Sequence, residues 1–128
     1  MPTIFTKILS GEIPCHKVAE HEKFLAFLDI RPIIEGHTLV IPKKEIDYFF
    51  DIDDTLMGEL MVFAKKVAVK IKKVVPCRKV GVMVAGIEVA HAHVHLVPIN
   101  EVSDLSFLKA KAVAHEELAK VAERIRRA

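Results

Sequence analysis

The stretch His91-Ala92-His93-Val94-His95-Leu96-Val97 contains three of the seven histidines of the chain, at every second position. Successive side chains of a β-strand point to opposite faces, so this alternation predicts a strand whose three histidines share one face. The small and apolar residues between them then face a core. Three imidazoles in a dry core would be unfavourable unless each were hydrogen-bonded, so we expect the histidines to line a polar cleft.

Three kinds of surface or site would use such a row. The first is a wet sheet face with ordinary histidines and no function. The second is a metal site, because two histidines of a His-x-His strand can ligate zinc when further ligands complete the set. The third is phosphoryl or nucleotidyl transfer, in which a neutral imidazole attacks phosphorus while its neighbours donate hydrogen bonds or protons. In that case the central His93, with a neighbour on each side, is the predicted nucleophile.

Hydrophobic periodicity on both sides of this stretch predicts an α+β fold. Apolar residues at helical spacing predict a short helix over residues 3–10 that ends at Gly11, a long helix over 54–75 and a C-terminal helix from Ala114. Apolar, β-rich runs predict strands over residues 24–29, 37–41, 80–85 and 91–97, with Pro98 ending the last. Strands, then a helix, then strands with short connections favour an antiparallel sheet.

Length and composition favour a single domain over residues 1–128, with a core in 3–99 and a C-terminal segment in 100–128. A net charge of +2 is too small to indicate a nucleic-acid partner by charge alone. We find no secretory segment and no apolar run of the roughly 18 residues that span a bilayer, so we expect no membrane partner and a cytoplasmic location. There the two cysteines, Cys15 and Cys77, would be reduced.

His-x-His-x-His followed by two apolar residues resembles the signature of the histidine triad (HIT) family of nucleotide hydrolases and transferases. Three upstream blocks are similar to the nucleoside-phosphoramidase-like branch of that family, in the same order. They are Ile4-Phe5-Thr6-Lys7-Ile8 through Gly11-Glu12-Ile13-Pro14, Phe24-Leu25-Ala26-Phe27-Leu28-Asp29-Ile30, and Gly36-His37-Thr38-Leu39-Val40-Ile41-Pro42-Lys43. With the histidines, these blocks cover residues 3 to about 99.

The resemblance implies a fold, a reaction and a set of roles. The fold is a five-stranded antiparallel sheet with one long helix and short terminal helices, in a homodimer. The reaction is attack on the α-phosphate of a purine nucleotide, which releases a nucleoside monophosphate through a nucleotidyl-histidine intermediate and needs no cofactor. His93 attacks, His95 contacts the phosphate and helps the leaving group, and His91 and His37 orient the active ring. The ribose hydroxyls bind Asp29, and the base pocket is formed by Ile4, Phe5, Ile8, Phe27 and Ile30.

Without the resemblance, plain core packing would be the preferred interpretation of Phe27 and Ile30, and a solvated strand end that of Asp29. The chain also departs from the family pattern at two places. Thr3, Thr6 and Glu45 replace the usual cysteine and histidine ligands of a structural zinc, so we expect no metal. Before the histidines, Met83 and Glu88 replace polar residues that contact phosphate in relatives.

A carboxylate beside a phosphate repels it unless the carboxylate is protonated or turned away. Glu88 therefore leaves the preferred leaving group open between an amine, a nucleotide, a sulfate and a sugar phosphate. The departures over residues 83–88 also support an alternative function, a nucleotide-binding or scaffold protein with weak turnover.

Overall fold

A computed structural model of the chain describes residues 2–128. Its elements are α1 (Ile4–Ser10), β1 (Lys17–Glu20), β2 (Phe24–Leu28), β3 (Thr38–Pro42), α2 (Asp54–Val74), β4 (Lys79–Met83), β5 (Val94–Ile99) and α3 (His115–Arg127). Single turns of 3-10 helix cover Phe49–Asp51, Val102–Asp104 and Phe107–Lys109. The strands form one antiparallel sheet in the order β1-β2-β3-β5-β4, which confirms the predicted α+β class and the five-stranded sheet.

One face of the sheet, the helical face, is covered by α2 and α3. The buried residues of α2 recur at intervals of three and four, as a helix with one apolar side requires, and the Asp53 carboxylate accepts a hydrogen bond from the Leu56 N–H at its start. The helical core consists of Leu60, Ala64, Val67, Ile71, Leu118, Val121, Ala122 and Ile125, packed against Val40, Val94 and Leu96 of the sheet. Over residues 2–128, no helix has both the length and the apolar character that crossing a bilayer requires.

The other face, the site face, carries the short helix α1. Thr3 and Thr6 cap its first turn reciprocally, and Gly11 ends it with a φ of 87°, a left-handed conformation that favours glycine. Seven residues form too short a helix to be stable alone in water, so the position of α1 depends on its contacts. Phe5 supplies them by packing into a small cluster of sheet residues that contains Leu25, Phe27, Leu39 and Ile41.

The strand that carries the histidines begins later and ends later than predicted. The prediction of a strand from His91 is wrong, because β5 begins at Val94 and the Ala92 N–H donates instead to the Ile46 carbonyl, in the loop after β3. The prediction that Pro98 ends the strand is also wrong. The pairing of β3 with β5 reaches only Leu96, so at Pro98 the strand pairs with β4 alone and the missing N–H interrupts no second ladder.

The two edges of the sheet differ. β1, which we did not locate in the sequence because only Val18 of its four residues is buried, is an edge with an irregular register between Lys17 and Ala19. α3 closes over it, and the Arg126 guanidinium donates to the Lys17 carbonyl. The opposite edge strand, β4, is open and carries Val82, which is 51% exposed. Charge, an irregular register and α3 protect the β1 edge, whereas over residues 2–128 β4 carries a charge only at Lys79 and keeps a regular register with β5.

Candidate active site

Four histidines converge on the site face. His37 directly precedes β3, His91 and His93 precede β5, and His95 is the second residue of β5. All four are buried. The His95 ring lies 5.0 Å from that of His93 and 5.2 Å from that of His37 (centroid to centroid). The predicted grouping of the histidines is therefore present, but it arises from a loop and a strand rather than from one strand face.

His93 is held by the backbone of its own segment. Its Nδ1 lies 2.6 Å from the carbonyl oxygen of His91, and since a carbonyl only accepts, Nδ1 carries the proton. Burial lowers the pKa of His93, against smaller upward effects on this pKa from the hydrogen bond to the His91 carbonyl and from the charges of Asp29 and Glu88. The ring is therefore neutral near pH 7, and its Nε2 has a free lone pair. This arrangement prepares Nε2 of His93 as a nucleophile.

The position of the ring proton in His95 is the reverse of that in His93. The Ile33 N–H donates to Nδ1 of His37 over 3.0 Å, so the proton of that neutral ring is on Nε2. His37 Nε2 then donates to Nδ1 of His95 over 2.9 Å, which leaves the His95 proton on its own Nε2. Burial, with the nearby His37 and His93, lowers the pKa of His95 to about 3. A neutral His95 thus presents an N–H beside the lone pair of His93.

His91 supports the site rather than facing it. Its Nε2 donates to the Pro42 carbonyl over 2.8 Å, and its ring lies 5.8 Å from that of Phe5. Its Nδ1 is buried without a hydrogen-bond partner among residues 2–128. Because its own carbonyl holds His93, the position of His91 also sets the position of the His93 ring.

Asp29 lies beside the histidine relay. One carboxylate oxygen accepts the Arg31 N–H over 2.9 Å, and the other is 3.8 Å from Nε2 of His37. Donor atoms of Asp29, His37 and His95 all lie within 4.8 Å of one another, so these residues form the group best placed to hold a metal ion. A metal there would have to replace the hydrogen bond between His37 and His95.

The five residues predicted to form a base pocket divide into two sets. Phe5 and Phe27 are buried edge to face, with ring centroids 5.6 Å apart, and Ile8 packs against the same cluster. The Phe5 ring is also 5.0 Å from the His93 ring, centroid to centroid, so this apolar cluster lies beside His93. Ile4 and Ile30 are about half exposed, so core packing describes Phe27 but not Ile30.

One aromatic neighbour of the histidines, Phe107, was not predicted from sequence patterns. The Phe107 ring lies 5.1 Å from that of His95 in a T-shaped contact and is 47% exposed. The segment around it is held by the Ser106 hydroxyl, which accepts from the Leu108 N–H, and by the Lys111 N–H, which donates to the Pro32 carbonyl. Phe107 therefore forms an apolar wall beside the N–H of His95.

Hydroxyl groups and a carboxylate satisfy one another at Thr3, Thr6 and Glu45, the positions at which we expected no zinc ligands. The Thr6 hydroxyl donates to the Glu45 carboxylate over 2.6 Å, and the hydroxyl oxygens of Thr3 and Thr6 lie 3.4 Å apart. These residues offer neither thiolate nor imidazole, the groups that structural zinc sites prefer. The expected lack of a metal here stays a prediction.

Buried neutral histidines make stability depend on pH. Burial lowers the pKa of His37, His93 and His95, so below about pH 6.5 the unfolded chain binds more protons than the folded chain. The stabilising effect is complete above that pH and is lost as pH falls through the folded pKa values. We expect the free energy of unfolding to fall between pH 6 and pH 4, by roughly 1 kcal/mol per pH unit for His95, whose pKa is lowered to about 3.

Urea unfolding at several pH values measures this effect. His95→Gln should reduce the slope, whereas His21→Gln, at an exposed histidine, should leave it unchanged. Equal stability at pH 7 and pH 5 would contradict the neutral, buried state of these rings.

The chain is similar to known proteins over the region that contains the four histidines. The model of the HIT domain family matches residues 10–102. An uncharacterized HIT-like protein of Methanocaldococcus jannaschii is 40% identical over 133 aligned positions, which cover 96% of this chain and 98% of that protein. The adenosine 5′-monophosphoramidase of Schizosaccharomyces pombe is 37% identical over 103 residues, covering 77% of this chain and 74% of that enzyme.

A solved structure extends the similarity to the whole fold. A hypothetical histidine triad nucleotide-binding protein of Sulfolobus tokodaii superposes with a TM-score of 0.83 at 32% identity, over 97% of this chain and 89% of that one. The family match, the identity to these relatives and the shared fold agree with the converging histidines described above. The chain belongs to the HIT, or histidine triad, family.

Proposed function

We propose that the chain is a HIT-type hydrolase or transferase that acts at the α-phosphate of a purine nucleotide and releases a nucleoside monophosphate. The observation that carries this proposal is the opposed protonation of two neighbouring rings. His93 offers a lone pair on Nε2, and His95, 5.0 Å away between ring centroids, offers an N–H. A reaction that adds a nucleophile to phosphorus and expels a leaving group needs both.

In the proposed reaction, Nε2 of His93 forms a bond to the α-phosphorus as the bond between phosphorus and the leaving group breaks. The leaving group keeps the electron pair of that bond and accepts a hydrogen bond from Nε2–H of His95. The carbonyl of His91 stabilises the positive charge that develops on the His93 ring. Water then cleaves the nitrogen–phosphorus bond, which releases the nucleoside monophosphate and a proton and restores neutral His93.

The name of the S. pombe relative supports phosphoramidate chemistry, and that of the S. tokodaii neighbour supports nucleotide binding. A panel of adenosine phosphoramidate, dinucleoside polyphosphates and adenylyl sulfate, assayed for release of the monophosphate, tests the proposal and identifies the leaving group. Guanosine and pyrimidine counterparts test the preference for a purine. If none of the panel is hydrolysed, the hydrolase proposal fails.

Glu88 favours the alternative of a binding protein with weak turnover. It is exposed, yet its charge acts on His93 by raising the pKa of that ring. A carboxylate near an incoming phosphate weakens phosphate binding. Glu88→Gln should therefore increase turnover of the best substrate in the panel if the site is catalytic. Tight nucleotide binding with no turnover in either form would favour the binding protein.

Asp29 is proposed to accept hydrogen bonds from the ribose hydroxyls. Asp29→Ala should then weaken ribonucleotide binding by about 1.5–3 kcal/mol, a usual range for hydrogen bonds to a charged group. The same change should hardly affect a 2′,3′-dideoxynucleotide, and calorimetric titration of both ligands measures the difference. Since Asp29 also lies 3.8 Å from His37, an equal loss for both ligands would show that it supports the histidine relay instead.

A homodimer and a cytoplasmic location remain predictions for this chain. Two apolar residues of α2, Val62 and Val69, are about half exposed, whereas Phe63 packs on Phe24 within the chain. Val82, on the open edge strand β4, is also about half exposed, and we propose that a second copy covers these three valines. Light scattering at micromolar concentration should give twice 14.3 kDa. Val69→Glu should lower this mass and Val102→Glu, elsewhere on the surface, should not.

A further inference from the structure

A cavity lies behind His37, and its lining includes residues of the helical face but none of the other three histidines. It encloses about 730 Å³ between α3, the loop 32–37 and the segment 108–113. Its inner wall is apolar and includes Leu28, Leu118 and Val121 of the helical face. His37 lines it, but His91, His93 and His95 do not. The volume falls in the range of small-molecule sites, which are mostly apolar with few polar groups.

The opening of this cavity exposes apolar side chains. Ile34 and Val113 are more than one-third exposed, and Leu108 is 97% exposed. Single exposed apolar residues are common on proteins, but three of them around one concave opening favour an apolar ligand. A ligand that enters the cavity would remove these side chains from water, and burial of apolar surface is the main favourable contribution to such binding.

Charges around the opening leave one unbalanced cation. Of the four charged residues that line the cavity, three have partners: Glu35 with Arg124 at 3.8 Å, Lys109 with Asp104 at 3.1 Å, and Glu117 with Lys120 at 3.5 Å. The fourth, Lys111, has no carboxylate within 4.0 Å of its ammonium group over residues 2–128. Its N–H donates to the Pro32 carbonyl over 3.2 Å, which holds it beside the opening.

We propose that this cavity is a binding site for a small amphipathic anion. The apolar chain or ring of the ligand would pack against Leu28, Leu118 and Val121, and its carboxylate or similar group would pair with Lys111. Of the residues proposed for the nucleotide site, only His37 lines this cavity, so the proposal does not depend on the hydrolase activity proposed above. A second copy of the chain could instead cover the apolar rim, and the experiment separates these occupants.

Calorimetric titration with decanoate, which has one apolar chain and one carboxylate, tests the site. We expect saturable binding of one decanoate per chain and weaker binding of decylammonium. Val113→Trp should fill the opening and reduce decanoate affinity at least tenfold, and Ile34→Trp provides a second blocking variant. Lys111→Gln should weaken decanoate about threefold to fivefold, as for an exposed ion pair, and remove the preference for the anion.

Matched controls are Val102→Trp and Lys66→Gln, which alter exposed residues outside the cavity and should leave decanoate binding unchanged. Saturating adenosine monophosphate should not displace decanoate. Displacement would assign the ligand to the nucleotide site and overturn the proposal. Unchanged binding in both tryptophan variants would overturn it as well. If those variants instead halve the mass in solution, the apolar rim belongs to an interface between copies.

Discussion

His93→Ala should abolish turnover while nucleotide affinity stays within about tenfold of that of the unchanged protein. Loss of a nucleophile has cost on the order of 10⁶ in rate in a protease, and no neighbour can replace His93 here. His95 Nδ1 already accepts a hydrogen bond from His37, and its Nε2 carries a proton. His91 uses Nε2 to donate to the Pro42 carbonyl. In the proposed site, the N–H of His95 would still bind the phosphate in this variant.

The measurement pairs steady-state rates with mass spectrometry. Protein quenched in acid-free denaturant during turnover should carry a nucleoside monophosphate on the peptide that contains His93. His16→Ala, which changes a histidine outside the site, should keep the full rate and the same adduct. A His93→Ala protein with a tenth of the original rate would show that His93 is not the nucleophile. The binding-protein or metal interpretation would then be preferred.

His95→Ala should lower the rate by roughly 10²–10⁴ without abolishing it, since this is the usual contribution of a group that assists proton transfer or a leaving group. The nucleophile remains, so the adduct on His93 should still form. The loss should be smaller for a phenolate leaving group than for an amine, because a phenolate needs less assistance to depart. Single-turnover rates with both substrates measure the difference. An equal loss for both would show that His95 acts on binding alone.

We expect His37 to act as a positioning residue for His95, and a double-variant cycle tests this role. His37→Phe removes the N–H that fixes the tautomer of His95 and should lower the rate. If His37 acts through His95, the doubly changed protein should be no slower than His95→Ala. Rate losses that simply add would show that His37 acts independently of His95.

The sequence predicted the helices well because their apolar spacing repeats over several turns. The period over residues 54–75 gave α2, and Gly11 marked the end of α1. β1 could not be found in the same way, since a four-residue edge strand with one buried side chain shows no alternation to detect. Its existence followed only from the resemblance to a five-stranded family.

Strict alternation over residues 91–97 predicted the right cluster for a partly wrong reason. Alternation indicates a strand, but the backbone before Val94 follows the loop after β3 because Ala92 donates to Ile46. Contacts between distant segments cannot be inferred from local spacing. The same limit applies to Phe107 beside His95 and to the Ile33 N–H that sets the protonation of His37.

The unequal edges of the sheet restrict how copies of this chain can associate. A strand edge is a set of unsatisfied donors and acceptors that can template another strand, and a molecule with two such edges can add copies without limit. Here α3 and the charged residues Lys17 and Glu20 obstruct the β1 edge, so β4 is the edge left for pairing in the part of the chain that spans 2–128. Antiparallel pairing of β4 with its own copy has two-fold symmetry and uses the same surface twice. Such an assembly closes at two chains, and a fibre cannot grow from it by the same contact.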